Sequence, residues 1–152
     1  MTLIYKNQIL LYSFIFLIGL ISSYSLPPYN LFYLNFFSYP AFLWVLLKFT
    51  KYKVKSFNIG WMFGFGYFIS NLYWITNSLT FEDIFKPFIP IALILIPLFL
   101  GLFYGLSTLT FSFLNPKKNF LSILILVTSL SIFEYIRSFI SVSYTHLRAH
   151  ET

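Results

Sequence analysis

The sequence predicts an all-α membrane protein, a polytopic bundle of about five transmembrane helices with a cytoplasmic N-terminus. Three observations carry this. First, the 152 residues are 59% hydrophobic and only 9% charged, where a soluble domain has roughly 25% charged residues. With a mean hydropathy of +0.80, a chain this short has too much apolar surface to hide from water, so lipid is its solvent. Second, the apolar residues fall into helix-length runs, separated by gaps of Pro, Asn and Lys. Third, the lysines are concentrated in alternate gaps, as the orientation rule for membrane proteins requires.

The first span is predicted over residues 8–25 and is long enough to cross a bilayer. It has no A-x-A-like cleavage site, so it reads as a retained anchor. Leu26-Pro27-Pro28-Tyr29-Asn30 ends it, because two successive prolines cannot continue a helix. The second span covers 31–47 and contains Pro40, which predicts a kink or two half-helices. Lys48, Lys51, Lys53 and Lys55 follow it.

The third span, about 57–78, organises the rest. Gly60 and Gly64 form a G-x-x-x-G pair, and Gly66 and Ser70 repeat the four-residue offset. Four residues make about one helical turn, so each pair lines one face and lets another backbone approach. Asn71, Trp74 and Asn77 follow at intervals of three. Polar groups in an apolar helix call for a partner helix or a wet cavity. The fourth span, about 88–114, carries Pro97 and a second pair, Gly101 and Gly105, which suits it as partner to the third. Asn115-Pro116-Lys117-Lys118-Asn119 makes the next turn. The fifth span covers about 120–140.

With the N-terminus inside, the inner side holds Lys6, Lys48, Lys51, Lys53, Lys55, Lys117 and Lys118. The outer side holds only Lys86 and Arg137, so the bias is seven to two. The net charge of +6 therefore reports orientation, and nucleic acid is not expected as a partner. The absence of cysteine excludes disulfides, Cys-metal sites and a cysteine nucleophile from these residues. Tyr and Phe abundance reads as compositional bias, and no aromatic ligand box is inferred from it.

Residues 142–152, VSYTHLRAHET, break the composition abruptly. They resemble, residue for residue, one translated frame of a transposase-tagging sequencing adapter. They are read as a non-native tail, which leaves residues 1–141 as the N-terminal transmembrane domain of a chain cut short. His146 and His150, the two histidines, lie in that tail, so their four-residue spacing is not read as a zinc pair, and no metal or cofactor is expected.

Within the fifth span, Glu134 and Arg137 share a helix face and can pair. Two readings stand side by side: a polar anchor at the outer mouth of the bundle, near a lipid head group, and a structural salt bridge with Arg137 snorkelling. Neither supplies catalysis, because no nucleophile has an adjacent base.

The order of these features resembles the bacterial apolipoprotein N-acyltransferase family, over about residues 8–140. The family has a short first span and a small-residue-Pro-aromatic-Asn turn, matched by Ser25-Leu26-Pro27-Pro28-Tyr29-Asn30. Its Gly-rich span is matched by Gly60, Trp61, Gly64, Gly66, Phe68, Trp74, Ile75, Ser78 and Leu79. Its later Glu-x-x-Arg helix is matched by Glu134 and Arg137. The resemblance implies a multi-pass protein of the bacterial inner membrane, with membrane lipids as acyl donor and lipoproteins as acceptor. It implies an acyl chain moved from phospholipid to a lipoprotein's N-terminal lipid-modified cysteine, through a thioester on a catalytic cysteine. That cysteine belongs to a Glu-Lys-Cys triad in an outer nitrilase-like domain, which this chain lacks, so the fragment alone is expected to be inactive. The competing readings are a stand-alone polytopic protein, such as a transporter half or assembly factor, and a membrane-surface binder using Lys48 to Lys55.

Overall fold

The computed structural model describes residues 7–27, 29–72, 89–116 and 120–149, with side chains to Ile140. Among the described residues there are five α-helices and no strand. Helix α1 is Gln8–Ser23, and a short 3-10 turn, Phe32–Leu34, leads into α2, Asn35–Phe49. Helix α3 is Lys53–Asn71, α4 is Ile89–Leu114 and α5 is Phe120–Ala149. The protein is an all-α membrane protein. Three of these stretches are long and apolar enough to cross a bilayer: Phe32–Phe49, Pro90–Leu114 and Phe120–Ile140. At 16 residues α1 is shorter. Residues 73–78 of the predicted third span lie outside the described residues, as does Trp74.

Local chemistry sets the ends. Asn7 caps α1, its side chain accepting from the Ile9 N–H at 3.2 Å. After α1, Asn30 takes a left-handed backbone, φ 54°, and its N–H donates to the Leu26 carbonyl at 3.1 Å. Asn tolerates that conformation better than most residues. Asn115 does the same after α4, φ 41°. The lysine-rich stretch 48–55 is not one loop. Lys48 lies in the last turn of α2 and Lys53 opens α3, with only Thr50 to Tyr52 between the two helices. Pro40 sits inside α2 without splitting it, and Pro97 inside α4, as single prolines can in membrane helices.

The bundle is greasy outside and hydroxyl-rich inside. Ile9, Leu17, Ile94, Phe113, Val127 and Phe139 are exposed, as lipid contact requires. Ser22, Ser56, Ser107, Thr108, Ser112 and Ser129 are buried. Among the described residues no buried side-chain donor or acceptor lacks a partner. Three of these hydroxyls, on Ser56, Thr108 and Ser112, bond backbone carbonyls of neighbouring segments, which no lipid tail could do. Thr108 donates to the Ser56 carbonyl at 2.9 Å, Ser112 to that of Thr50, and Trp61 Nε1 to that of Leu98 at 2.9 Å. These pairs run in opposite senses along α3 and α4, so the two helices are antiparallel. Among the described residues the most extensive helix–helix contact is between them, and α1 packs on α3 from another side. Thr108→Val removes the interhelical hydrogen bond and keeps the shape. It is expected to cost about 0.6 kcal/mol, and no more than about 2. Unfolding by SDS, followed by tryptophan fluorescence, measures it.

Candidate functional site

Helix α3 presents small residues on opposite sides, and each side meets a different helix. Gly60 faces the Thr108 hydroxyl and the Tyr104 carbonyl, and Gly64 lies against Gly101. A Cβ on Gly64 would stand 2.9 Å from the Gly101 Cα. Gly66 is two residues further round, roughly 200° from Gly64 at about 100° per residue. It meets the Phe16 carbonyl of α1, while Gly19 of α1 meets the Phe63 carbonyl. Two backbones thus close on α3 at once. Ser70 is half-buried in the last turn of α3.

Between those contacts lies an aromatic core. Phe63, fully buried, stacks on Phe42 of α2 with ring centroids 4.2 Å apart and on Tyr104 of α4 at 5.7 Å. Phe68 meets Tyr104 edge-on at 5.6 Å. Edge-on and offset pairs of this kind contribute beyond their burial.

Above this core sits a polar cluster. Arg137 Nε donates to Glu134 Oε2 at 2.8 Å, and Nη2 donates to the same oxygen. The guanidinium also lies 5.2 Å over the Phe68 ring, tying α5 to α3. Tyr39 and Tyr104 line the same recess as Glu134. Ser22 donates to Asn35 Oδ1 at 2.7 Å, linking the end of α1 to the start of α2. At 27% and 32% side-chain exposure, Arg137 and Glu134 are half-buried. Fourteen residues separate Glu134 from the start of α5, about 21 Å of helix rise. Glu134 thus lies within the apolar stretch Phe120–Ile140.

The cluster closes one end of a cavity of about 470 Å³ between α2, α4 and α5. Tyr39, Tyr104, Ser131 and Glu134 stand at its polar end, and Leu43, Ile123, Leu126, Val127 and Leu130 line the rest. Sequence reasoning reached Glu134 and Arg137 but gave no role to Tyr39, Tyr67 or Tyr104. With 12 Tyr and 21 Phe in the chain, nothing in their local sequence sets those three apart. Nothing in this arrangement forms a nucleophile with its base; it can hold an amphiphile or another helix.

Fold and site together define a class, an α-helical membrane bundle with an ionic pair set inside its apolar body. The family model described as the apolipoprotein N-acyltransferase N-terminal domain matches residues 18–149. The chain belongs to that family. Among curated relatives, the apolipoprotein N-acyltransferase of Allorhizobium ampelinum is 33% identical over 135 residues, covering 83% of this chain and 25% of the relative. That of Agrobacterium fabrum is 31% identical over 135 residues, with the same coverage. That of Sinorhizobium medicae is 36% identical over 102 residues, 60% of this chain and 19% of the relative. The chain thus spans about a quarter of the length of the curated relatives it matches. No solved structure gives a significant match.

Proposed function

We propose that this chain is the N-terminal membrane scaffold of an apolipoprotein N-acyltransferase of the bacterial inner membrane. In this reading the whole enzyme moves an acyl chain from phospholipid to the N-terminal lipid-modified cysteine of lipoproteins, and the catalytic nitrilase-like domain lies beyond these residues. The observation that carries it is the family match over 18–149, laid over a bundle whose small-residue contacts join α1, α3 and α4. Residues 142–152 are read as adapter-derived on their likeness to its translation, although α5 and the family match both run on to 149. The locus read from an independently prepared library tests the reading. Continuation into a domain with Glu, Lys and Cys supports it; a native stop near residue 141 sinks it. The purified chain, given phospholipid and a lipoprotein acceptor, is expected to transfer nothing.

Orientation follows from the lysines. The chain has no cysteine, so a single one reports cleanly. Lys51→Cys is expected to react with an impermeant maleimide only after the membrane is opened. Tyr29→Cys, 59% exposed at the opposite end of α2, is expected to react in intact cells. Labelling of position 51 from outside reverses the topology.

A further inference from the structure

Four lysines fall within eight residues of sequence at one end of the bundle. Lys48 lies in the last turn of α2, Lys51 in the turn that follows, and Lys53 and Lys55 in the first turn of α3. The end of α4 adjoins them: the Ser112 hydroxyl donates to the Thr50 carbonyl, and the Lys53 ammonium lies 3.8 Å from the centre of the Phe113 ring. Lys48 lies 3.7 Å over the Trp44 ring, and Lys55 lies 5.4 Å from Tyr52 and 5.8 Å from Phe49. Tyr52, Val54, Phe113 and Leu114 are exposed beside these cations. Two apolar spans, Phe32–Phe49 and Pro90–Leu114, end at this rim. The counter-charge is missing. Among the described residues the only acidic side chain is Glu134, which lies fourteen residues into α5 and is paired with Arg137. Lys51, Lys53 and Lys55 make no ion pair among the described residues.

We propose that this rim binds the head groups of anionic phospholipids in the leaflet beside it, and that their phosphates supply the missing counter-charge. For Lys53 and Lys55 a ring face covers one side of the ammonium, and its three N–H donors still serve an anion. Aromatic side chains mixed with lysines mark the level where hydrocarbon gives way to head groups. Four or more lysines next to a membrane span attract anionic lipid for the same reason. A soluble polyanion would gain nothing from Val54, Phe113 and Leu114. A lipid brings hydrocarbon to those side chains and a phosphate to the lysines, so the apolar setting favours lipid. The occupant also steadies the junction of three helices, because Lys53 reaches from α3 to α4 and Lys55 from α3 to the end of α2. The inference goes beyond the proposed function. It needs neither the enzyme assignment nor a particular topology, since an anionic head group is recognised alike in either leaflet.

The test compares two lipids that differ only in the head group. The full chain is purified in mild detergent and offered equimolar dioleoyl phosphatidylglycerol and dioleoyl phosphatidylcholine, and native mass spectrometry counts which stays bound. Phosphatidylglycerol is expected to be retained more than tenfold over phosphatidylcholine. Lys53→Gln and Lys55→Gln are each expected to lower that preference about fivefold, which corresponds to about 1 kcal/mol per lysine. Lys53→Gln/Lys55→Gln together are expected to abolish it, and Lys53→Arg, which keeps the charge, to preserve it. Circular dichroism and elution volume establish that each variant is folded. A second readout is the melting temperature, which phosphatidylglycerol is expected to raise more than phosphatidylcholine does, in the native chain and not in the double variant. If the double variant is misfolded, the Gln and Arg variants at position 53 decide between them. Equal retention of the two lipids by the native chain overturns the proposal. So does an unchanged preference in the folded lysine-to-glutamine variants. Displacement of the lipid by millimolar inorganic phosphate, beyond that caused by chloride at equal ionic strength, makes a soluble anion the occupant and overturns it too.

Discussion

Gly66→Leu is expected to detach α1 from α3. A Cβ at position 66 runs into the Phe16 carbonyl and approaches Leu20 N, both backbone atoms of α1 that no rotamer change can move aside. Across the same contact, Gly19 lies against the Phe63 carbonyl, so the crossing has no slack on either side. Overpacking typically costs 1–3 kcal/mol where side chains can adjust. Here two helices must separate, and the cost is expected to exceed about 3 kcal/mol. Gly105→Ala tests the reasoning within the same molecule. Its new Cβ would stand 2.8 Å from the Phe57 ring edge, and that ring can swing. Its cost is expected to stay near 1 kcal/mol. SDS unfolding midpoints rank the two, and a crosslink between single cysteines on α1 and α3 shows whether α1 remains docked. Equal midpoints for the two variants would mean that the α1–α3 approach is looser than the structure has it.

Glu134→Ala is the second large effect. It removes the carboxylate that neutralises Arg137. A charge at mid-membrane costs roughly 2.5–3.5 kcal/mol on insertion scales, and breaking a buried pair costs about 3–5 kcal/mol. Because the pair keeps about a third of its side-chain surface exposed, the lower end applies, about 2–3 kcal/mol. The double variant Glu134→Leu/Arg137→Met replaces both charges with apolar side chains of similar length. It is expected to recover most of that loss, giving up only the contact of Arg137 with Phe68, worth about 0.5–1 kcal/mol. The sign of this non-additivity is the content of the prediction. If the double variant is less stable than Glu134→Ala, the pair is a net source of stability.

Much of the architecture was legible because membrane chemistry leaves few choices. Apolar runs had to become helices, since lipid satisfies no backbone group. Gly60 and Gly64 could be seen to want a close neighbour, and Gly101 with Gly105 could be seen to suit it. The sequence did not show that Gly66 would turn to α1, because small-residue spacing gives a face and not its partner. Nor did it show that α3 starts at Lys53. A turn of three residues lets lysines end one helix and open the next, so charge alone does not mark the boundary.

The tyrosine cluster shows the limit most clearly. Tyr39, Tyr67 and Tyr104 sit on three different helices, and no local pattern links them. They meet only because α2 and α4 both pack on α3 around Phe63. By itself the sequence determined the helical class and the pairing of Glu134 with Arg137, since each depends on hydropathy or on spacing within one segment. Only the tertiary structure decided which face of α3 each helix takes and that Glu134 stands at one end of a groove between α2, α4 and α5. Those features depend on distances between residues far apart in the chain, which a one-dimensional pattern does not contain.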